Sequence, residues 1–159
     1  MTPEIHRLEQ ALARHPDDAG LYYELGRCYL ALRKDIPALQ AFQRALALAP
    51  NHPQILMQLG NVASMQNDDP LAVQYFKASL KQDNRQADVH FNLANSLRKL
   101  GQCTAAIQHY QQSLALQPED ADTWNNLGNA WRQQGELAQA VQAYQQALRI
   151  DPRLVHAKV

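Results

Sequence analysis

Shifted by 34 residues, this sequence lies on itself, and few constraints on a fold are stronger. One column reads Leu25, Leu59, Leu93, Leu127, and the next Gly26, Gly60, Ala94, Gly128. Half a period later come Ala38, Ala72, Ala106, Ala140, then Phe42, Phe76, Tyr110, Tyr144. The units close on Pro50, Asn84, Pro118 and Pro152. A 34-residue unit is too small to bury a core alone, because ordering it costs roughly 50 kcal/mol at about 1.5 kcal/mol per residue. Each unit must therefore stack on its neighbours.

The periodic residues point to helices. Leu25 and Tyr29 share a helical face, as do Ala38, Phe42, Ala45 and Leu46. Ala, Leu and Gln dominate the chain, whereas Val, Ile and Thr, which strands favour, are scarce. The fold class expected is all-α. The spacing predicts helix pairs over 20–33/36–49, 54–66/70–82, 87–100/103–116 and 121–134/137–150, within units 19–52, 53–86, 87–120 and 121–154. Small residues in the Gly26 and Ala38 columns let the two helices of a unit approach. Asn67, Gly101 and Gly135 stand where a left-handed residue ends the first helix, and Arg33 in that column suggests a different turn in the first unit.

The ends depart from the repeat. Residues 1–18 hold one helix, with Thr2 as N-cap and Pro3 in the first turn. Its Leu8, Ala11, Leu12 and Pro16 fall in the columns of Phe42, Ala45, Leu46 and Pro50, so it is the second half of a degenerate repeat serving as a cap. Residues 153–159 read as a fifth repeat that breaks off, or as a tail. That leaves apolar positions of the last helix uncovered, and weak self-association through the C-terminal edge is expected.

Chemistry is sparse. Fifteen basic residues balance fifteen acidic ones, which argues against nucleic acid as partner. No apolar run is long enough for membrane insertion, and no secretory signal is visible. Cys28 and Cys103 form no C-x-x-C pair, which favours a reducing, cytoplasmic setting. The acidic pairs Asp17-Asp18, Asp68-Asp69 and Glu119-Asp120 each precede a helix and read as caps. His90 replaces an aromatic in a packing column and reads as structural. The histidines lack metal-ligand spacing, and no phosphate-binding loop or nucleophile motif occurs. No catalytic residue, metal site or cofactor is expected, and this chain reads as no enzyme.

The columns resemble the tetratricopeptide repeat, with the pattern W-x2-L-G-x2-Y…A-x3-F…P. The fourth unit fits best through Trp124, Leu127, Gly128, Trp131, Ala140, Tyr144 and Pro152. The resemblance implies an α-solenoid of four helix-turn-helix units, wound as a right-handed superhelix whose first helices line a concave groove. The groove residues so implied are Tyr23, Arg27, Met57, Asn61, Phe91, Asn92, Asn95, Arg98, Lys99, Asn125, Asn126, Asn129 and Arg132. Asn61, Asn95 and Asn129 form one column. An asparagine amide carries donor and acceptor, so this column either grips an extended peptide backbone or braces neighbouring helices. Asn92-Leu93-Ala94-Asn95 and Asn126-Leu127-Gly128-Asn129 resemble the asparagine ladder of O-linked N-acetylglucosamine transferases, although Gln58 and Glu24 stand in the column of Asn92 and Asn126. The carboxylate clamp of co-chaperones is not expected, because its lysine position holds Tyr23, Met57, Phe91 or Asn125.

The function expected is a protein-interaction scaffold that binds a partner peptide with acidic residues, matched to Arg98, Lys99 and Arg132. The alternatives are a substrate-recruiting part of a larger transferase and a self-assembling scaffold. Replacing the asparagine column by alanine is expected to weaken binding and spare the fold.

Overall fold

A computed structural model describes residues 2–154. These form nine helices in chain order. They are α1 (Pro3–Arg14), α2 (Ala19–Ala31), α3 (Asp35–Leu48), α4 (Pro53–Met65), α5 (Asp69–Gln82), α6 (Ala87–Lys99), α7 (Cys103–Leu116), α8 (Ala121–Gln133) and α9 (Leu137–Ile150). The eight repeat helices lie within two residues of the expected bounds. The chain divides into two compact units, the first ending at Gln82 and the second beginning at Asp83.

The helix starts are capped as the sequence implies. Thr2 Oγ1 accepts the Ile5 N–H at 3.2 Å. Asp18, Asp68 and Asp120 accept from Leu21, Leu71 and Thr123 at 3.2, 3.3 and 3.4 Å. Each satisfies a backbone donor that the helix itself leaves unpaired. The second helices of the first, third and fourth repeats stop at Ala49, Gln117 and Asp151, each immediately before a proline that disfavours a further helical turn.

One expectation is corrected at the turns inside the repeats. Arg33 adopts φ 58°, beside Asn67 at 62°, Gly101 at 80° and Gly135 at 81°. The turn is the same in all four: the residue after each donates its N–H to Tyr29, Ala63, Leu97 or Trp131 at 2.8–2.9 Å. The carbonyl left open by the ending helix takes this bond, and Arg33 accepts the left-handed strain to make it.

In the first unit, Ala38, Phe42, Ala45, Ile55, Leu59 and Val62 form the main core. A Cβ on Gly26 would stand 2.5 Å from the Phe42 ring, and one on Gly60 2.5 Å from Phe76. The hydrogen at these positions is what lets the paired helices close on the aromatic ring. The cap helix α1 packs Ile5, Leu8 and Leu12 around Leu25 and Ala41, with Ile5 the most buried.

In the second unit, Ala140, Tyr144 and Ala147 are covered by Trp124, Trp131, Leu148 and Leu154. Tyr110, Leu93, Leu97 and His90 are all buried. His90 Nε2 stands 3.0 Å from the Asn84 carbonyl, while the Trp124 indole N–H donates to the Pro118 carbonyl at 2.9 Å. The same ring-to-carbonyl link closes both repeats, so the imidazole substitutes for an indole, and His90 is structural as expected. Leu137 and Val141 of α9 remain 63% and 45% exposed. Of the expected beginning of a fifth repeat at residues 153–159, residues 155–159 lie outside the described residues.

Candidate functional site

In the second unit, an amide network crosses from α6 to α8. Their first-helix positions put Asn95 two turns after Ala87, and Asn126 and Asn129 one turn apart on α8. The Tyr110 hydroxyl, from α7, donates to Asn95 Oδ1 in a short hydrogen bond. Asn126 Nδ2 donates to the same oxygen at 3.4 Å, and Asn129 Nδ2 donates to Asn126 Oδ1 at 3.5 Å. At the far end the Tyr144 hydroxyl, from α9, donates to Asn129 Oδ1 at 2.6 Å. Every amide oxygen of the three is thus engaged. Asn95 Nδ2 has no partner among the described residues, and Asn126 and Asn129 each keep one N–H.

Three cations accompany this row. Arg98 donates through Nε to the Tyr110 hydroxyl at 3.3 Å and through a terminal nitrogen to Gln133 Oε1 at 3.2 Å. The exposed Lys99 and Arg132 sit on the same two helices. Among the described residues, none of the three is ion-paired with a carboxylate. Burial raises the phenol pKa of Tyr110 above its ordinary value, opposed by Arg98. Burial does the same for Tyr144, opposed by Arg132 and Arg98. Both hydroxyls therefore remain protonated donors at neutral pH.

The other candidates divide by position. Phe91 is half-buried, with its ring edge-on to Tyr110 at 6.1 Å between centroids. Asn92 is half-buried as well. Asn125 is only 4% exposed and its Oδ1 is buried without a hydrogen-bond partner, so it lies beneath the surface that its register suggested. In the first unit, Tyr23 packs 6.0 Å from the Phe42 ring. Arg27 pairs with Glu24 at 3.5 Å and lies over the Tyr23 ring. Met57 is half-buried, and Asn61 Nδ2 donates to Gln58 Oε1 at 3.4 Å.

Sequence reasoning missed Tyr110 and Tyr144 as parts of this site. The available signal was the change from Phe42 and Phe76 to tyrosine in a packing column, since a buried hydroxyl must find a partner. The amide oxygens brace their neighbours, as do one N–H each of Asn126 and Asn129. Among the described residues no group of three or more His, Cys, Asp and Glu is placed to hold a metal ion. No helix there is long and apolar enough to cross a membrane.

The geometry can be set beside known proteins. A solved structure of MamA matches with a TM-score of 0.85 at 18% identity, covering 94% of this chain and 81% of that one. YrrB, described as a TPR protein with an unusual peptide-binding site, matches at 0.86 and 20% identity, covering 97% and 79%. The Cut9–Hcn1 hetero-tetramer of the APC/C matches at 0.80 and 26% identity, covering 87% of this chain and 28% of that one. No curated protein matches the sequence. A tetratricopeptide-repeat model matches residues 91–154, and the model of the TPR domain of cytochrome c-type biogenesis protein H matches residues 6–116. The chain belongs to the tetratricopeptide repeat family.

Proposed function

We propose that this chain is a non-enzymatic interaction scaffold that binds an extended, acidic segment of a partner protein. The observation that carries this reading is the row of Asn95, Asn126 and Asn129, with spare N–H groups beside Arg98, Lys99 and Arg132 that no carboxylate neutralises. Spaced amides suit an extended backbone whatever its side chains, and the cations favour acidic residues along it. The peptide-binding site for which YrrB is described makes such a use of the fold plausible in kind. Within the first unit, Tyr23, Arg27, Met57 and Asn61 are proposed as a weaker contact of their own, because Arg27 is already paired with Glu24.

Selection of a displayed random 12-residue peptide library on the full chain tests the reading. The expected winners are acidic, bind less tightly as salt rises, and lose about tenfold or more in affinity with Arg98→Glu/Arg132→Glu. Failure to enrich any peptide, or full affinity in that variant, contradicts it. The exposed Leu137 and Val141 support weak pairing of the C-terminal edge with a second copy, which sedimentation at rising concentration checks. The unpaired thiols of Cys28 and Cys103 support a cytoplasmic setting. The family model from cytochrome c biogenesis points instead toward the cell envelope, and fractionation of the tagged chain decides between them.

A further inference from the structure

We propose that Tyr110 and Tyr144, as positioning residues, bias the hydrogen-bond polarity of the amide row, so that it recognises carbonyl and carboxylate oxygens in preference to N–H groups. This rests on the peptide-binding reading and sharpens it: the partner is bound chiefly through its acceptors.

The inference follows from counting lone pairs. An amide oxygen has room for two hydrogen bonds. Asn95 Oδ1 receives both, from Tyr110 and Asn126. Asn129 Oδ1 receives the Tyr144 hydroxyl, and Asn126 Oδ1 receives Asn129. Because Tyr110 and Tyr144 are 0% and 3% exposed, their hydroxyls have little water to turn to, and releasing Asn95 or Asn129 would orphan a buried donor. The amides are thereby held with their oxygens bonded within the network: four of their six acceptor positions are filled, against two of their six N–H groups. Arg98 points the same way, since its Nε supports the Tyr110 hydroxyl as an acceptor while that hydroxyl donates onward. The surplus is donors and positive charge. An extended strand meeting this row finds four spare N–H groups for its C=O groups and acidic side chains, against two acceptor positions for its N–H groups. Phe42 and Phe76 in the first unit carry no hydroxyl to impose this order.

The test uses two fluorescein-labelled decapeptides, alternating Gly-Asp and alternating sarcosine-Asp. They share carbonyls and carboxylates, but the second lacks every alternate backbone N–H. Both are titrated onto the full wild-type chain and onto Tyr110→Phe/Tyr144→Phe. Wild type is expected to bind the two within about twofold of each other. The double variant frees amide oxygens to accept, so the Gly-Asp peptide should gain over the sarcosine peptide by roughly two- to tenfold. An equal ratio in both proteins overturns the polarity proposal while leaving peptide binding intact. No binding of either peptide to wild type at millimolar concentration overturns the peptide-binding reading, and the polarity proposal with it. Circular dichroism checks the fold, and Tyr144→Phe alone carries the comparison if the double variant unfolds. A merely structural role would weaken both peptides alike and leave the ratio unchanged.

Discussion

The two units share one repeat frame and differ by one kind of atom at its centre. In the first, Phe42 and Phe76 fill the aromatic column; in the second, Tyr110 and Tyr144 do. Gly26, Gly60 and Gly128 all crowd the ring at Cβ distances of 2.5 to 2.6 Å, while the third repeat carries Ala94 in that column. The hydroxyl changes what lies above the ring. In the second unit it takes up an asparagine oxygen and organises a chain of amides across two helices. In the first, Asn61 Nδ2 donates to Gln58 of its own helix among other contacts, and Arg27 is paired with Glu24. A core position thus takes up acceptor positions of the amide row. The turns differ in a complementary way. Arg33 and Asn67 bear left-handed strain in the first unit, whereas glycines hold those places in the second.

The largest effect expected from breaking this contrast is on stability. Asn95→Ala removes the acceptor of a fully buried hydroxyl and should destabilise by about 1–3 kcal/mol. The aromatic that corresponds to Tyr110 in the repeat of Asn61 is Phe76, which has no hydroxyl to orphan, so Asn61→Ala should cost less. Thermal and urea melts of the two variants check this, and equal losses would mean that the hydroxyl is not what distinguishes the units. The earlier expectation that alanine spares the fold is therefore revised for Asn95 and Asn129.

Next in size is the strained turn. Arg33→Gly should stabilise the first unit by up to about 1 kcal/mol, because glycine adopts positive φ without a Cβ penalty. Amide exchange across α2 and α3 should slow accordingly. Unchanged exchange would show that the flanking hydrogen bonds already absorb the strain.

The smallest effect is the alkaline limb. Burial raises the Tyr110 and Tyr144 pKa values above the unfolded phenol value of about 10, so the unfolded chain loses these protons first. Their contribution is fully present below that pH and is lost as pH rises through the folded values. Stability should fall above about pH 10, and the fall should be shallower in Tyr110→Phe. An identical slope in that variant would place the alkaline loss elsewhere.

Nearly the whole fold was legible beforehand, because a 34-residue period leaves one stacking solution for helices of this composition. Helix bounds, aspartate caps and the role of His90 follow from columns. Arg33 misled because residue type and backbone conformation usually agree at such turns, and here the flanking hydrogen bonds outweigh the preference. The candidate surface was legible only in part. Spacing places Asn95, Asn126 and Asn129 on helix faces, yet it cannot say which end of each amide is occupied. That depends on a hydroxyl 15 residues away, in a column where phenylalanine packs equally well. Asn125 shows the same limit, since register alone put it at the surface and neighbouring side chains bury it.

Side-chain amide NMR of the full chain, titrated with the Gly-Asp decapeptide, addresses the row itself. The NH2 resonances of Asn95, Asn126 and Asn129 should shift together with one dissociation constant, while the Tyr110 and Tyr144 hydroxyl bonds persist and Asn61 moves less. Saturable binding that leaves those three NH2 groups unmoved would contradict the assignment of the second unit's amide row as the binding surface.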